Sequence, residues 1–450
     1  MSGPDAGPGP GARRVGGAPV DGGAASDGGA SAAVAGFRER ADAAGGAAWE
    51  AVPAGLRKRC RAAVEGHRER LLALSHALHA DPETAFEEHR AAARVAGVLA
   101  AEGFTVRRGV GGLDTALTAT YGDGELVVGV CAEYDALPGL GHACGHNVIA
   151  AASVGAALAL RDVAGELGVT VKLIGTPAEE TGGGKILLLE RGVFDDVGFA
   201  LLIHPSPDEL CAPRTLAVTD LEVRYRGRAA HAAFAPHHGV NAADALTVAQ
   251  VAIGLARQHL EDRQMVHGIV TDGGAVPNVI PDDTRAVYYL RAGSYESLEG
   301  LERRIRDCLR AGAVATGCAE EVRQVSPAYA ELVSDPWLAG AYRSAVTALG
   351  RSPVPLAEEA GRLTPASTDM GNVSRALPAI QPSIAVDCGS AVNHQPGFAE
   401  VCAGPSGDRA VLDGAVALAW TAAAAALDGP TRALLLAGVR ERAAGRDGGL

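Results

Sequence analysis

At 450 residues the chain is too long for one ordinary compact domain, and 48% hydrophobic with 21% charged residues is a globular profile. A formal net charge of −13, with no cluster of Lys and Arg, argues against nucleic acid as a partner, because a phosphate backbone calls for a basic face. Aromatic residues are only 4%, so a core of Ala, Val and Leu has to pack closely with few large anchors.

Residues 1–46 are rich in Gly, Ala, Pro, Ser and Asp and are predicted to be disordered, since such a segment buries too little apolar surface to offset its ordering entropy. Helices are predicted over 56–80 and 85–102. An apolar run at 126–131 predicts a strand, followed by a loop over 132–147 and a helix of small residues over 148–167. Strands follow at 169–175 and 198–203. Strands alternating with helices predict an α/β fold, a doubly wound, mainly parallel sheet whose sites gather at the carboxyl ends of the strands.

The pattern changes near residue 216. Residues 218–226 alternate apolar and polar, as a half-exposed strand does. A helix over 241–259, strands over 265–272 and 283–291, a helix over 295–315 and a strand over 320–328 complete a βαββαβ order, that of a ferredoxin-like α+β unit inserted into the first domain. The domain reading is therefore a disordered segment at 1–46, the first domain over 56–216, the inserted unit over 217–330, a return to the first domain over 331–430, and a C-terminal helix and tail over 431–450. The Ala-rich run at 415–427 lies between Asp413 and Asp428 and reads as a buried helix rather than a membrane span. No basic region followed by an apolar run marks the start of the chain as a secretory leader. Eight cysteines stand singly at 60, 131, 144, 211, 308, 318, 388 and 402, with no CxxC. That spacing predicts a reducing compartment, by default the cytoplasm, and no membrane association.

Five short segments carry candidate chemistry. In Gly141-His142-Ala143-Cys144-Gly145-His146-Asn147 a thiolate and an imidazole two residues apart can face one point, a pairing that suits zinc or a similar divalent ion. Glu179-Glu180 follows a strand and precedes three glycines, and two adjacent carboxylates repel unless a cation lies between them. His204 caps an apolar strand, His394 lies in Asn393-His394-Gln395-Pro396, and Asp135 follows the strand that ends at Cys131. Singly, each has an ordinary explanation: a helix-entry loop, an acidic turn, a structural or loop histidine, a turn aspartate before proline.

Their joint order is more specific. "AEYDALPGLGHACGHN", "GTPAEETGGGK", "LLIHP", "GRAAHAAFAP", "VPNVIP", "STDMGNVS" and "NHQPGF" together resemble metallopeptidase family 20 of clan MH, the aminoacylase/carboxypeptidase family, over roughly 56–427. Within it the chain most resembles the aminobenzoyl-glutamate hydrolase and β-alanyl-lysine dipeptidase branch. The resemblance implies two divalent metal ions held by Cys144, His146, Glu180, His204 and His394, with Cys144 as the bridge. Zinc fits these ligands best, and manganese or cobalt could occupy the same set. It implies Glu179 as general base, Asp135 as the aspartate behind the ligands, and His231 as the oxyanion-stabilising histidine, often reaching across a dimer. Asn278 and Arg291 resemble residues that hold the substrate carboxylate or carbonyl, and Ser367, Thr368 and Asp369 a pocket-lining loop. The inserted unit is then a lid and dimerisation domain, and the protein a homodimer.

Two departures stand out. Many members have histidine where this chain has Glu133, so the cysteine–histidine pair must supply what that residue would. Asn147 replaces an aspartate frequent after Cys-Gly-His in aminoacylase-like members. Both point toward the dipeptidase-like branch. The implied activity is hydrolysis of the amide bond of a small dipeptide or N-acyl amino acid through a metal-activated water, with an aminoacylase-type N-acyl amino acid hydrolase and a non-catalytic binder of the same fold as the rivals.

Overall fold

The computed structural model describes residues 42–447. Most of the stretch expected to be disordered, 1–41, lies outside the described residues. Its last residues do not fit that expectation: they begin a helix, Asp42–Glu50. The small side chains serve close contact there, since a Cβ on Gly45 would stand 1.8 Å from the carbonyl oxygen of Trp337 in the helix Pro336–Ala348. The helix expected over 56–80 is two, Ala54–Gly66 and Arg68–Ala80, separated at His67 just after Gly66.

The larger sheet has six strands in the order β1-β2-β4-β3-β5-β11, where β1 is Thr105–Arg108, β2 Leu117–Tyr121, β3 Leu126–Glu133, β4 Val169–Thr176, β5 Val197–Leu201 and β11 Ala379–Ile380. The strands β4, β3, β5 and β11 run parallel, and β2 and β1 close one edge antiparallel. A short parallel pair, β6 (His204–Ser206) with β12 (Ser383–Ala385), extends the carboxyl end. The strands β3 to β5 are almost wholly buried, as their continuous apolar runs require of a sheet covered on both faces.

Helix packing exploits the alanine-rich composition. The helix His146–Arg161 lies against Pro405–Leu427, and a Cβ on Gly155 would fall 2.8 Å from the Ala415 Cβ. Pro405–Leu427 is 23 residues long and apolar enough to cross a membrane by length, but 89% of its most apolar window is buried against the rest of the fold. With large side chains scarce, stability has to come from short interaxial distances and many small contacts.

The second sheet is antiparallel in the order β10-β7-β9-β8: β7 is Ala217–Arg226, β8 Met265–Asp272, β9 Asp283–Ala292 and β10 Ala319–Gln324. One face packs on the helices Ala242–Ala256 and Tyr295–Thr316 through Leu221, Val223, Tyr225, Leu246, Leu290 and Ile305. Asn241 and Ser294 cap these helices, each accepting a backbone N–H. The opposite face is aligned by register, with Asp220 opposite Tyr289 and Val218 opposite Arg291. That face turns toward the carboxyl ends of the parallel strands.

Candidate metal centre

The parallel strands deliver the site. Beyond β3 stands Asp135, beyond β4 the pair Glu179-Glu180, beyond β5 His204; His146 opens a helix, and His394 comes from the loop before the helix Pro396–Cys402. Of the four non-glycine residues in left-handed backbone among the described residues, two lie at the site, Ala178 with φ 57° and His394 with φ 68°. Each such residue costs about 1–3 kcal/mol and persists only where its surroundings impose it. Ala178 N–H is tied to Glu88 Oε1 at 2.8 Å, and His394 N–H to the Ala143 carbonyl at 2.8 Å. Gly145 has φ 81° and lies so close to Pro205 that a Cβ would meet its Cγ at 2.3 Å. Only glycine lets the Cys144–His146 turn approach the β6 strand this closely.

The imidazoles of His146 and His204 are each oriented by their second nitrogen. His146 Nδ1 lies 2.9 Å from the Asp135 carbonyl and 3.0 Å from Asp135 Oδ1, both acceptors, so Nδ1 donates and Nε2 is turned to the opposite side, toward Glu179 and Glu180. His204 Nδ1 faces the Pro205 carbonyl at 2.9 Å, which turns its Nε2 to Cys144 Sγ at 3.4 Å. Asp135 Oδ2 accepts the Glu180 N–H at 3.0 Å, so one carboxylate fixes two of the expected ligands. His146 Nε2 stands 3.8 Å from Glu179 Oε2 and 3.8 Å from Glu180 Oε1, and His394 Nε2 stands 3.5 Å from Glu180 Oε2.

The donor atoms fall into overlapping groups, each within 4.8 Å: Cys144 with His146 and His204, and Cys144 with Glu180 and His394. The Cys144 sulfur belongs to both. His146 Nε2 and Glu180 Oε1 are buried with no hydrogen-bond partner, a costly arrangement unless something else satisfies them. Burial, then the Glu180 charge, pushes the Cys144 thiol well above its usual range. Burial, then Glu133 and Glu180, does the same to the Glu179 carboxyl. Burial lowers His204 to about 4, leaving it a neutral imidazole. Two repelling carboxylates, a thiol and three imidazoles converging on one space are a donor set that a divalent cation fits.

A second layer lies beneath it. Lys185 is fully buried, with Nζ 2.5 Å from Glu133 Oε1 and 2.6 Å from Asp369 Oδ1, while its own N–H donates to Asp369 Oδ2 at 2.9 Å. Burial raises the Glu133 carboxyl, but Lys185, His146 and His204 outweigh it and hold it below the usual range. The Lys185 bonds hold Asp369, whose carboxyl is raised to about 6 by burial against the pull of Lys185, under the site, and it does not line the cavity. Tyr329 clamps the Glu179 backbone: its hydroxyl donates to the Glu179 carbonyl at 2.6 Å and accepts the Gly183 N–H at 2.8 Å. Neither Lys185 nor Tyr329 was singled out from sequence. For Lys185 a signal existed, since only three of the chain's 40 basic residues are lysines and this one follows an apolar strand.

A cavity of about 530 Å³ opens above, lined by Cys144, Glu179, Glu180, His204 and His394 on the large-sheet side. On the other side it is lined by Asp220, Tyr289 and Arg291 of the small sheet, with Ser367 and Thr368 at its edge. Arg291 Nη1 donates to Ser367 Oγ at 2.9 Å. His231 and Asn278 are not brought to this cavity: both are exposed, and their two loops are joined by the Ala232 N–H to Asn278 carbonyl bond at 3.0 Å and the isolated bridge between His231 and Val279.

Comparison with known proteins bears on this geometry. The family profile described as peptidase family M20/M25/M40 matches residues 129–401. A Xaa-Arg dipeptidase of Mus musculus is 38% identical over 401 residues, 86% of this chain and 91% of that protein. One of the chains of the p-aminobenzoyl-glutamate hydrolase of Escherichia coli (strain K12) is 34% identical over 58% of this chain and 59% of that one. Among solved structures, a Bacillus subtilis protein described as a dinuclear metal binding peptidase from the M20 family superposes with TM-score 0.61 at 22% identity, over 80% of this chain and 98% of that one. An aminobenzoyl-glutamate utilization protein from Klebsiella pneumoniae superposes with TM-score 0.63 at 19% identity, over 79% and 96%.

Proposed function

The chain belongs to peptidase family M20/M25/M40, and from that premise we propose that it is a two-metal amidohydrolase that cleaves a dipeptide or an N-acyl amino acid. The observation that carries the reading is the pair of donor groups sharing the Cys144 sulfur. Cys144, His146, Glu180, His204 and His394 would hold the ions, zinc being the best match to sulfur and imidazole, with manganese or cobalt as alternatives. Bound there, such ions supply Lewis acidity that activates water and polarises an amide carbonyl.

The chain's own groups do the rest. Glu179, whose carbonyl is clamped by Tyr329, takes a proton from the attacking water on its carboxylate as the new C–O bond forms. It then gives that proton to the amide nitrogen as the C–N bond breaks, so the leaving amine departs neutral. Asp135 does not touch substrate; it holds the tautomer of His146 and the backbone of Glu180. Arg291 receives a substrate carboxylate. Dipeptides come first among the candidates, because the two relatives covering 86% of the chain are named Xaa-Arg dipeptidases.

The proposal extends to a homodimer. His231 stands outside the cavity with its ring 6.4 Å from that of Phe234, which is 87% exposed, and a second copy seated on that face would let His231 serve as oxyanion donor to its neighbour. It extends also to a reducing, cytoplasmic setting, supported by eight cysteines that are all unpaired.

The test is Glu179→Ala with metal content measured beside hydrolysis of dipeptides, aminobenzoyl-glutamate and N-acyl amino acids. We expect two metal equivalents retained and turnover reduced by roughly 10²- to 10⁴-fold. Near-normal turnover with full metal would remove Glu179 from the role of base.

A further inference from the structure

Charged residues on the open face of the small sheet are paired along most of its length. Arg226 meets Glu321 at 3.5 Å, Arg224 Nε meets Asp283 Oδ1 at 2.8 Å, and Arg323 meets Glu222 at 2.8 Å. The pattern stops where the face enters the cavity. Asp220 and Arg291 line it, and among the described residues neither has an ion-pair partner. Asp220 is only 7% exposed. Its Oδ1 accepts the Ser326 N–H at 3.1 Å and the Ser326 hydroxyl at 2.9 Å, while among the described residues no hydrogen bond reaches Oδ2.

The two charges do not cancel each other. Tyr289 is the register partner of Asp220, and Arg291 that of Val218. Asp220 and Arg291 are therefore diagonal neighbours, which in antiparallel strands stand roughly 7–8 Å apart. A carboxylate this buried, without a cation, sits above its usual range because desolvation penalises its charge, and the Ser326 bonds only partly offset that. A lining built this way accepts a ligand with a carboxylate at one end and a cation at the other.

We infer that Asp220 selects a basic side chain on the amino acid released by the reaction, an assignment that rests on the hydrolase reading above. Arg291 takes the α-carboxylate of that residue, Asp220 Oδ2 takes its guanidinium or ammonium, and the Tyr289 ring lies between them along the methylenes. An acidic leaving residue would place a second carboxylate against Asp220 and be rejected.

The test compares alanyl-arginine with alanyl-citrulline, which matches arginine in shape and lacks its charge, using metal-loaded wild type and Asp220→Asn. Asparagine keeps an acceptor for Ser326, and an unchanged melting temperature checks that the fold holds. Wild type should prefer alanyl-arginine by roughly 10- to 100-fold in kcat/KM, and the variant should lose that ratio through the arginine substrate alone. Equal losses on both substrates would mean that Asp220 binds the shared amino terminus or only supports the Ser326 turn, and would overturn the inference. So would a wild type that shows no preference for arginine, or a variant that keeps the preference. If neither dipeptide is cut but N-acyl amino acids are, the dipeptide reading fails by itself, and acetyl-arginine against acetyl-citrulline carries the same comparison.

Discussion

The two walls of the cavity are held by different means. On the large-sheet side the donors other than the exposed His394 are buried or aimed by a second bond: Asp135 orients His146 and Glu180, the Pro205 carbonyl orients His204, and strained backbone at Ala178 and His394 sets the remaining directions. On the small-sheet side Tyr289 is 41% exposed, Arg291 rests on one serine hydroxyl, and Asp220 keeps one oxygen free of any bond among the described residues. A wall that positions ions and a base gains from preorganisation, because misplacement there costs rate directly. A wall that reads a substrate instead needs charges whose partners arrive with the ligand. Variants on the first wall should therefore change metal content and kcat, and variants on the second should change KM and selectivity.

The sharpest break would come from Cys144→Ala. Because the sulfur is common to both donor groups, its loss should lower metal stoichiometry from two and turnover by more than roughly 10³-fold. Full occupancy of both sites in that variant would show that the groups do not share a bridge. Lys185→Met comes next, acting on the fold beneath the same wall. It would leave Glu133 and Asp369 buried and facing each other, a loss of about 3–5 kcal/mol by the usual cost of orphaning a buried charge. Adding Glu133→Gln should recover part of that stability in denaturant melts, since the two changes act on one cluster. Simple additivity would mean that the lysine and glutamate are not coupled.

How much of this was legible in the sequence follows the same division. The positions of the five expected ligands and of Glu179 were readable because each sits at a strand end or in a loop, where local pattern and position coincide, and the structure gathers all six side chains around one space. The βαββαβ order was readable from periodicity, with strand and helix ends shifted by a few residues. The last strand ends at Gln324 rather than near 328 because Ser326 turns back to bond Asp220. The two-residue strand Ala379–Ile380 and the three-residue strands His204–Ser206 and Ser383–Ala385 are too short to show a period. The Lys185 cluster and the Tyr329 clamp join residues at least 52 and 146 positions apart only through tertiary packing, and no local pattern encodes such a meeting. His231 and Asn278 matched a motif, yet motif alone says nothing of which cavity they reach.

On the reading wall, Arg291→Ala should raise KM for substrates with a free α-carboxylate by roughly 10- to 100-fold, the usual worth of a charged hydrogen bond, with kcat changed far less. Amidated substrates, which lack the carboxylate, should be cut equally by variant and wild type. An equal fall in kcat for both substrate types would instead place Arg291 in the transition state and erase the distinction between the walls.

Glu88 offers the mildest probe, because it touches the positioning wall only through backbone. Its Oε1 accepts the N–H groups of Phe86 at 3.0 Å and of Ala178 at 2.8 Å, the second of these holding the left-handed turn that leads to Glu179. Burial, reinforced by the nearby Asp135 charge, raises its carboxyl to about 7 from an ordinary 4.5. The folded state therefore holds a proton that the unfolded chain has released. The stabilising contribution is complete below about pH 4.5 and is lost as pH rises through about 7, with a slope of at most about 1.4 kcal/mol per pH unit. Glu88→Gln keeps an acceptor for both N–H groups and has no charge to bury. Its denaturant midpoint, followed from pH 4.5 to 8 at constant metal content, should lack that decline and exceed wild type at the alkaline end, while turnover at pH 8 stays near normal. A variant whose midpoint falls with pH in parallel with wild type would assign the decline to another group. One that loses turnover as well would show that the charge on Glu88, and not only its hydrogen bonds, sets the direction of the base.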